Sequence, residues 1–326
     1  MIRSVRGDLL RAEVDALVNT VNCVGVMGKG IALQFKQAYP AMFQAYARAA
    51  KAGEIVPGRI HVYEVEGAGP VRFILNFPTK RHWKDSSRLE DIDSGLVDLV
   101  AKIRDLGVRS IAVPPLGAGN GKLDWQVVRP RIVAALEPLE GVEVLVYEPA
   151  GAPEASERIV RTDRPELTVP RALFLRLLDL YTLPRYALTL LEVQKLAYFL
   201  QAAGQPLRLR FERGPYGPYA SNLNHVLVLL EGHYLMGSGD TAPGTEIHLV
   251  AGAVEAAEQV LAGNAEARVR LERVGQLIEG FETPFGVELL ATVHWVATED
   301  PGSATDYERC RDRVWSWSER KRRLFK

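Results

Sequence analysis

With 326 residues, 47% of them hydrophobic and 25% charged, the chain is long enough for two globular domains, each burying its own core. A formal net charge of +0 excludes a global field that would draw nucleic acid or an anionic membrane, so any such contact must come from local patches. Two cysteines far apart, Cys23 and Cys310, exclude a disulfide framework, and neither a signal-peptide stretch after Met1 nor a bilayer-long apolar run occurs, so a cytoplasmic protein without a membrane partner is expected.

Residues 2–7 begin a strand closed by Gly7-Asp8. The apolar run Ala16-Leu17-Val18 reads as a buried strand that delivers Asn19 and Asn22 at its end. Gly25, Gly28 and Gly30 then lead into Ile31-Ala32-Leu33-Gln34-Phe35-Lys36, which has helical periodicity. Strand, Gly-rich turn and helix start together form an anion cradle, because glycines allow close backbone approach and free N–H groups point outward at a helix N-terminus. One such loop alone is more often a tight turn. Pro40 starts a second helix, through residues 41–52, which Gly53 closes.

Residues 59–65 and 72–77 alternate as strands, and the second ends in Pro78-Thr79-Lys80-Arg81-His82-Trp83-Lys84. A basic loop is ordinarily a solvated surface. This one leaves the strand ends that carry the glycine loops, where partial desolvation and neighbouring cations lower a lysine's pKa and free its amine as a nucleophile. His82 is a candidate general acid or base by residue type, although an exposed loop histidine commonly has no role. Trp83 either stacks on a nucleobase or anchors the loop to the core.

An amphipathic helix over residues 89–107 precedes a strand at 110–115, which enters a second loop, Leu116-Gly117-Ala118-Gly119-Asn120-Gly121-Lys122. Two anion loops suit a diphosphate, and open α/β sheets bind ligands at the carboxyl ends of their strands. The spacing matches neither the Walker pattern nor the dinucleotide GxGxxG. Asp124 then caps a helix over 124–136, and a strand over 142–147 ends at Tyr147, placed either to cover an adenosine or simply to pack.

A Pro/Gly/Ala connector at 148–154 marks the domain boundary. Beyond it the periodicity is mainly helical, at 168–183, 189–203, 221–231, 252–261, 265–279, 284–298 and 305–323. A short alternating strand spans 207–213, followed by the aromatic turn Gly214-Pro215-Tyr216-Gly217-Pro218-Tyr219. His225, His233, His248 and His294 are scattered without metal-ligand spacing. The cations Arg320-Lys321-Arg322-Arg323 favour a helix C-terminus, and a DNA or protein contact is the alternative use of them.

Gly7-Asp8-Leu9, the run Val14-Asp15-Ala16-Leu17-Val18-Asn19 with Asn22, and both glycine loops resemble the macrodomain family of ADP-ribose binders. The strings NTVNCVGVMGKGIALQFK, Asn76-Phe77-Pro78-Thr79-Lys80 and PPLGAGNGKLDW are similar to one branch, the DNA ADP-ribosyl glycohydrolase antitoxins that oppose DarT-type toxins. Gln194-Lys195-Leu196-Ala197-Tyr198-Phe199 with the Gly-Pro-Tyr turn resembles antitoxin domains of the SocA/Panacea type. The resemblance implies a three-layer αβα macrodomain with a mixed sheet over 1–150 and a mainly α-helical domain over 155–326. It implies Lys80 as the catalytic residue, Asp8 at the adenine and Asn22 at the distal ribose. The remaining ADP-ribose contacts it implies are Leu9, Asn19, Val26, Met27, Gly28, Gly30, Ile31, Thr79, Leu116, Gly117, Ala118, Gly119, Asn120, Gly121 and Tyr147.

The implied substrate is single-stranded DNA bearing ADP-ribose on thymine, with no metal and no cofactor, and the implied second partner is a DarT-type toxin bound by the C-terminal domain. Eukaryotic relatives carry an aspartate inside the second loop that helps resolve a lysine adduct, and Gly121 occupies that position here. Two other readings are carried forward: a reader that binds ADP-ribose without turnover, and a phosphatase or deacylase of free ADP-ribose derivatives.

Overall fold

Runs such as Phe73–Lys80, apolar on both faces, form interior strands only where layers cover both sides of a sheet. In the computed structural model, which describes residues 1–149, 157–182, 186–240 and 245–325, that sheet has six strands. They are β1 (Ile2–Val5), β2 (Ala16–Asn22), β3 (His61–Glu64), β4 (Phe73–Lys80), β5 (Ser110–Val113) and β6 (Glu143–Tyr147), in the order β1-β6-β5-β2-β4-β3. β3 is antiparallel to β4 and the other pairings are parallel, so the sheet is mixed.

Helices α1 (Gly30–Ala38) and α2 (Pro40–Lys51) close one face, where Phe35, Met42 and Tyr46 pack with Leu17 and Ile74. Helices α3 (Leu89–Asp105) and α4 (Trp125–Leu136) close the other, where Ile92, Leu96, Leu99, Val128 and Ile132 pack with Val18, Leu75 and Phe77. This is the three-layer αβα macrodomain architecture. Gly95 lets α3 approach β4 closely: a Cβ there would lie 2.3 Å from the Phe77 ring.

The chain divides into two compact units, one of Met1–Asp163 together with Gly239 and Asp240, the other holding the remaining described residues. Residues 150–156, most of the expected connector, lie outside the described residues. The division falls later, because residues 157–161 still belong to the first unit: the Glu157 carbonyl accepts from Arg11, and Arg161 N donates to the Gln37 carbonyl.

The second unit is mainly helical. Its described helices are α5 (Val169–Tyr181), α6 (Leu190–Ala202), α7 (Leu223–Leu230), α8 (Ala253–Leu261), α9 (Ala265–Ile278), α10 (Pro284–Glu299), α11 (Tyr307–Trp315) and α12 (Glu319–Leu324). Two expectations are corrected. The expected helix over 305–323 is two helices, because Ser318 leaves helical geometry and its hydroxyl caps α12 by accepting from Lys321 N. The expected strand over 207–213 shrinks to a hairpin of β7 (Glu212–Gly214) and β8 (Gly217–Tyr219). Arg208 sits at φ 56°, and the side chains of Gln201 and Asn222, rather than a neighbouring strand, take up the backbone groups of residues 208–210.

Candidate active site

The carboxyl ends of β2 and β4 lie side by side, and a bulge sets the geometry where they stop. Val21 faces Pro78 but Asn22 faces Lys80, so β4 carries one extra residue, Thr79, at its end. A bulge of this kind re-aims the side chains beyond it. Pro78 is tolerated in a strand with neighbours on both sides because β3 pairs only with residues 73–76.

Three loops meet at this edge. The first glycine loop is tied to the basic loop by Cys23 N donating to the Arg81 carbonyl (3.2 Å). The basic loop is tied to the second glycine loop by Ser87 N donating to the Gly121 carbonyl (2.9 Å). The glycine loops also face each other. Gly30 has φ +57°, and a Cβ added to it would lie 3.2 Å from Asn120 Nδ2. The Gly30 N–H points away from α1 and donates to the carbonyl of Gly239 (2.8 Å), in the same unit.

Lys80 is half-buried at the junction, and its ammonium donates to the Asn120 backbone carbonyl. Burial lowers its pKa, the positive charge of Lys122 lowers it further, and Asp85 opposes the shift. The amine is therefore neutralised more readily than an exposed lysine. Lys122 closes the second loop with φ 63°, a left-handed conformation unusual for a residue with a side chain.

The structure separates the expected contact residues by what they are free to do. Asp8 Oδ1 accepts from Leu10 N (2.9 Å), while Oδ2 is buried with no hydrogen bond, 3.7 Å from Arg11 Nε. Leu9 beside it is buried, and Tyr147 packs in the same core with its hydroxyl held protonated by burial and by the Asp8 charge. Val26 is exposed, and Gly28, Gly30, Ile31, Ala118, Gly119 and Asn120 retain accessible surface. Met27, Thr79, Leu116, Gly117 and Gly121 are buried beneath them.

The two asparagines are committed within the protein. Asn19 is wholly buried and its amide donates to Asn76 Oδ1 (2.9 Å). The Asn22 amide donates to the Val26 carbonyl (2.6 Å), while its Oδ1 accepts from Val24 N, Val26 N and the Tyr46 hydroxyl. Asn22 thus shapes the first loop, and the second N–H of its amide is the donor left for a ribose contact. Tyr46, buried on α2, supports this turn, its hydroxyl donating to the Asn22 carbonyl (2.6 Å).

The second loop explains its own departure from the eukaryotic pattern. A Cβ on Gly121 would lie 2.2 Å from both the Gly117 carbonyl oxygen and Ser87 Oγ. No aspartate fits there in this loop conformation. Asp124 caps α4 instead, accepting from Gln126 N at 2.9 Å. The carboxylate whose charge acts on Lys80 is Asp85, which the sequence reading passed over because nothing in its spacing marks it.

Trp83 is 50% exposed, so it does not anchor its loop in the core. Its ring lies against His82 (centroids 5.3 Å apart) and under the Lys84 ammonium (5.0 Å). Cys23 is half-buried, and burial, reinforced by the Asp91 charge, raises its thiol pKa. Among the described residues no group of three or more His, Cys, Asp and Glu side chains is placed to hold a metal ion. None of the described helices is long and apolar enough to cross a membrane.

Comparison with known proteins bears on this arrangement. The Macro domain family model matches residues 18–132, which include β2, β4, β5 and all three loops. The chain is similar to a DNA ADP-ribosyl glycohydrolase of Thermus aquaticus, 50% identical over 98% of this chain and 89% of that protein. It is similar to a protein of the same name from Mycobacterium tuberculosis, 42% identical over 100% of this chain and 96% of that one. A DNA ADP-ribosyl transferase-DNA ADP-ribosyl glycohydrolase fusion protein of Thermosipho africanus is 35% identical over 44% of this chain and 41% of its own length.

Proposed function

Since the chain belongs to the DNA ADP-ribosyl glycohydrolase family, whose members are hydrolases of ADP-ribose glycosidic bonds, we propose that it removes ADP-ribose from thymine bases of single-stranded DNA, with Lys80 as the catalytic residue. The observation that carries this reading is the Lys80 amine, desolvated and beside Lys122, at the meeting point of the two glycine loops.

In this reading the diphosphate lies between the N-terminus of α1 and residues 117–121, and backbone N–H groups other than that of Gly30, which Gly239 holds, donate to it. Asp8 Oδ2, which has no hydrogen bond within the protein, accepts from the adenine exocyclic amine. With both ends of the ligand fixed, the distal ribose is held against Lys80, and fixed orientation alone is worth several kcal/mol, roughly 7 or more in the best-oriented systems. The neutral amine attacks the anomeric carbon as the bond from that carbon to the thymine nitrogen breaks. The bond's electron pair leaves on the nitrogen, which takes a proton from water. The hydroxide left by that proton transfer then displaces the lysine nitrogen, which departs as the neutral amine, and gives free ADP-ribose and the unmodified strand.

The exposed Trp83 ring beside this edge is a platform for an unpaired base of the strand. A DarT-type toxin is the second partner we propose, with the helical unit as its binding site. What supports such a partner is the joining of transferase and glycohydrolase in one polypeptide in the Thermosipho africanus relative.

The test is incubation of a thymine-ADP-ribosylated oligonucleotide with the wild type and with Lys80→Ala, resolved by gel and mass spectrometry. The expected result is release of the plain strand by the wild type and a loss of about a hundredfold or more in the variant, the scale on which a reacting side chain contributes. Equal turnover by both removes Lys80 from the chemistry. Release of phosphate or acetate without the plain strand points to the phosphatase or deacylase class.

A further inference from the structure

Beside the catalytic edge lies a second concavity, of about 610 Å³, lined by Arg81, Ser87, Arg88, Leu89, Glu90 and Leu123. Its volume falls within the roughly 300–1,000 Å³ of small-ligand clefts. It opens where the basic loop, leaving Lys80, runs into the start of α3.

Ser87 is only 6% exposed, and its hydroxyl lies against the second glycine loop, where a Cβ on Gly121 would stand 2.2 Å from it, so Ser87 closes the cleft on that side without offering it a polar atom. Arg88 is exposed at the N-cap of α3. Arg81, by contrast, keeps one guanidinium nitrogen on Asp91 (3.0 Å) while its side chain stays 52% exposed. Leu89 and Leu123 supply an apolar wall, and Glu90 supplies the one carboxylate of the lining.

Two guanidinium groups and an apolar wall are what a nucleotide of a phosphodiester strand needs: charge for the phosphate and a surface for sugar and base. We infer that this cleft is a strand subsite, which takes the nucleotide next to the modified one, with Arg88 and Arg81 at its phosphate and Leu89 and Leu123 against its sugar and base. Arg81 adjoins Lys80 in the chain, so a strand seated here continues directly to the catalytic amine. The inference rests on the reading that the substrate is a modified single strand. It gives that reading an element that ADP-ribose contacts alone do not provide, a means of preferring a nucleic acid over free ADP-ribose conjugates.

The test uses the full chain and an unmodified, fluorescein-labelled single-stranded DNA oligonucleotide, with anisotropy followed across a salt series. Arg88→Ala is expected to weaken strand binding about fivefold to tenfold and to reduce the salt slope by about 0.7, the value of one single-strand phosphate contact. ADP-ribose affinity stays at the wild-type value in this variant. Arg48→Ala, on exposed α2, serves as the charge control.

An unchanged slope in Arg88→Ala, or an equal change in Arg48→Ala, overturns the subsite. If modified DNA is still turned over by the wild type in that case, the hydrolase reading survives alone. If strand binding falls in Arg88→Ala while the wild type releases nothing from modified DNA, the subsite stands and the thymine-hydrolysis reading fails.

Discussion

At the scale of the residue, the proposed mechanism makes the rate depend on how much of the time Lys80 is uncharged. Its pKa is lowered first by burial and then by Lys122, with Asp85 pulling the other way. For an amine that acts when neutral, the rate rises with pH until the lowered pKa is passed and then levels off, at lower pH than for an ordinary lysine. Lys122→Ala removes a like charge, so the rising limb of the pH–rate profile should move to higher pH. Asp85→Asn removes an opposing charge, so the limb should move to lower pH. A stopped-time assay of ADP-ribose release over a pH series reads both, and an unmoved limb in both variants means that Lys80 is not the titrating group. The long apolar strand run and its basic tail marked this loop in the sequence, and the family resemblance chose Lys80 within it. Asp85, Ser87 and Arg88 were not, because their roles arise only when three loops fold against one another. Asn22 was legible as important but not in its use, since nothing in its spacing shows that its side chain closes on Val26 and Tyr46.

At the scale of the element, periodicity and punctuation carried most of the fold. Strand runs apolar on both faces told of a covered sheet, and Gly53 and Gly107 marked helix ends. What escaped was decided by single polar side chains: Ser318 dividing the last helix, and Gln201 and Asn222 replacing a strand partner. The start of α6 shows how much one such group can carry. Glu192, fully buried, completes a capping box with Thr189 and also accepts from the hydroxyls of Tyr181 (2.9 Å) and Tyr186 (2.6 Å). Glu192→Ala removes the reciprocal half of the capping box and takes the acceptor from two tyrosine hydroxyls and from the Thr189 N–H, while Thr189 Oγ1 still accepts from the backbone N–H of residue 192. The expected loss is about 3–5 kcal/mol in chemical denaturation. A loss under about 1 kcal/mol would mean that water replaces the carboxylate at no cost.

At the scale of the whole molecule, each unit carries its own hydrophobic core. The helical unit also carries a buried ionic group. Lys195 donates to the Pro218 carbonyl (2.8 Å), and Lys321, wholly buried, donates to Glu288 (2.7 Å) and Thr292 (2.9 Å). Arg320 pairs with the same Glu288 at 2.6 Å. Burial and the nearby Lys321 push the Lys195 pKa down to about 7. Burial lowers that of Lys321 as well, against the pull of Glu288. Both lysines bind a proton more weakly folded than unfolded. Between the folded pKa and that of a free lysine the unfolded chain holds the extra proton, so stability rises with pH across that window and levels off below about pH 7. The melting transition reported by Trp295, Trp315 and Trp317 should therefore move up by several degrees from pH 7 to 9, and Lys195→Met should flatten the rise. A midpoint that falls over that range contradicts the assignment.

The same surroundings act in opposite senses on two nucleophiles at the candidate active site. Desolvation favours the neutral form of any group, which for an amine is the reactive form and for a thiol the unreactive one. Lys80 is thereby made more nucleophilic, and Cys23, whose backbone is bonded to the residue after Lys80, is made less so. An electrophilic sugar carbon delivered to this edge is offered nitrogen rather than sulfur. In the proposed mechanism, burial and the neighbouring charges thus favour attack by nitrogen over the formation of a thioglycoside.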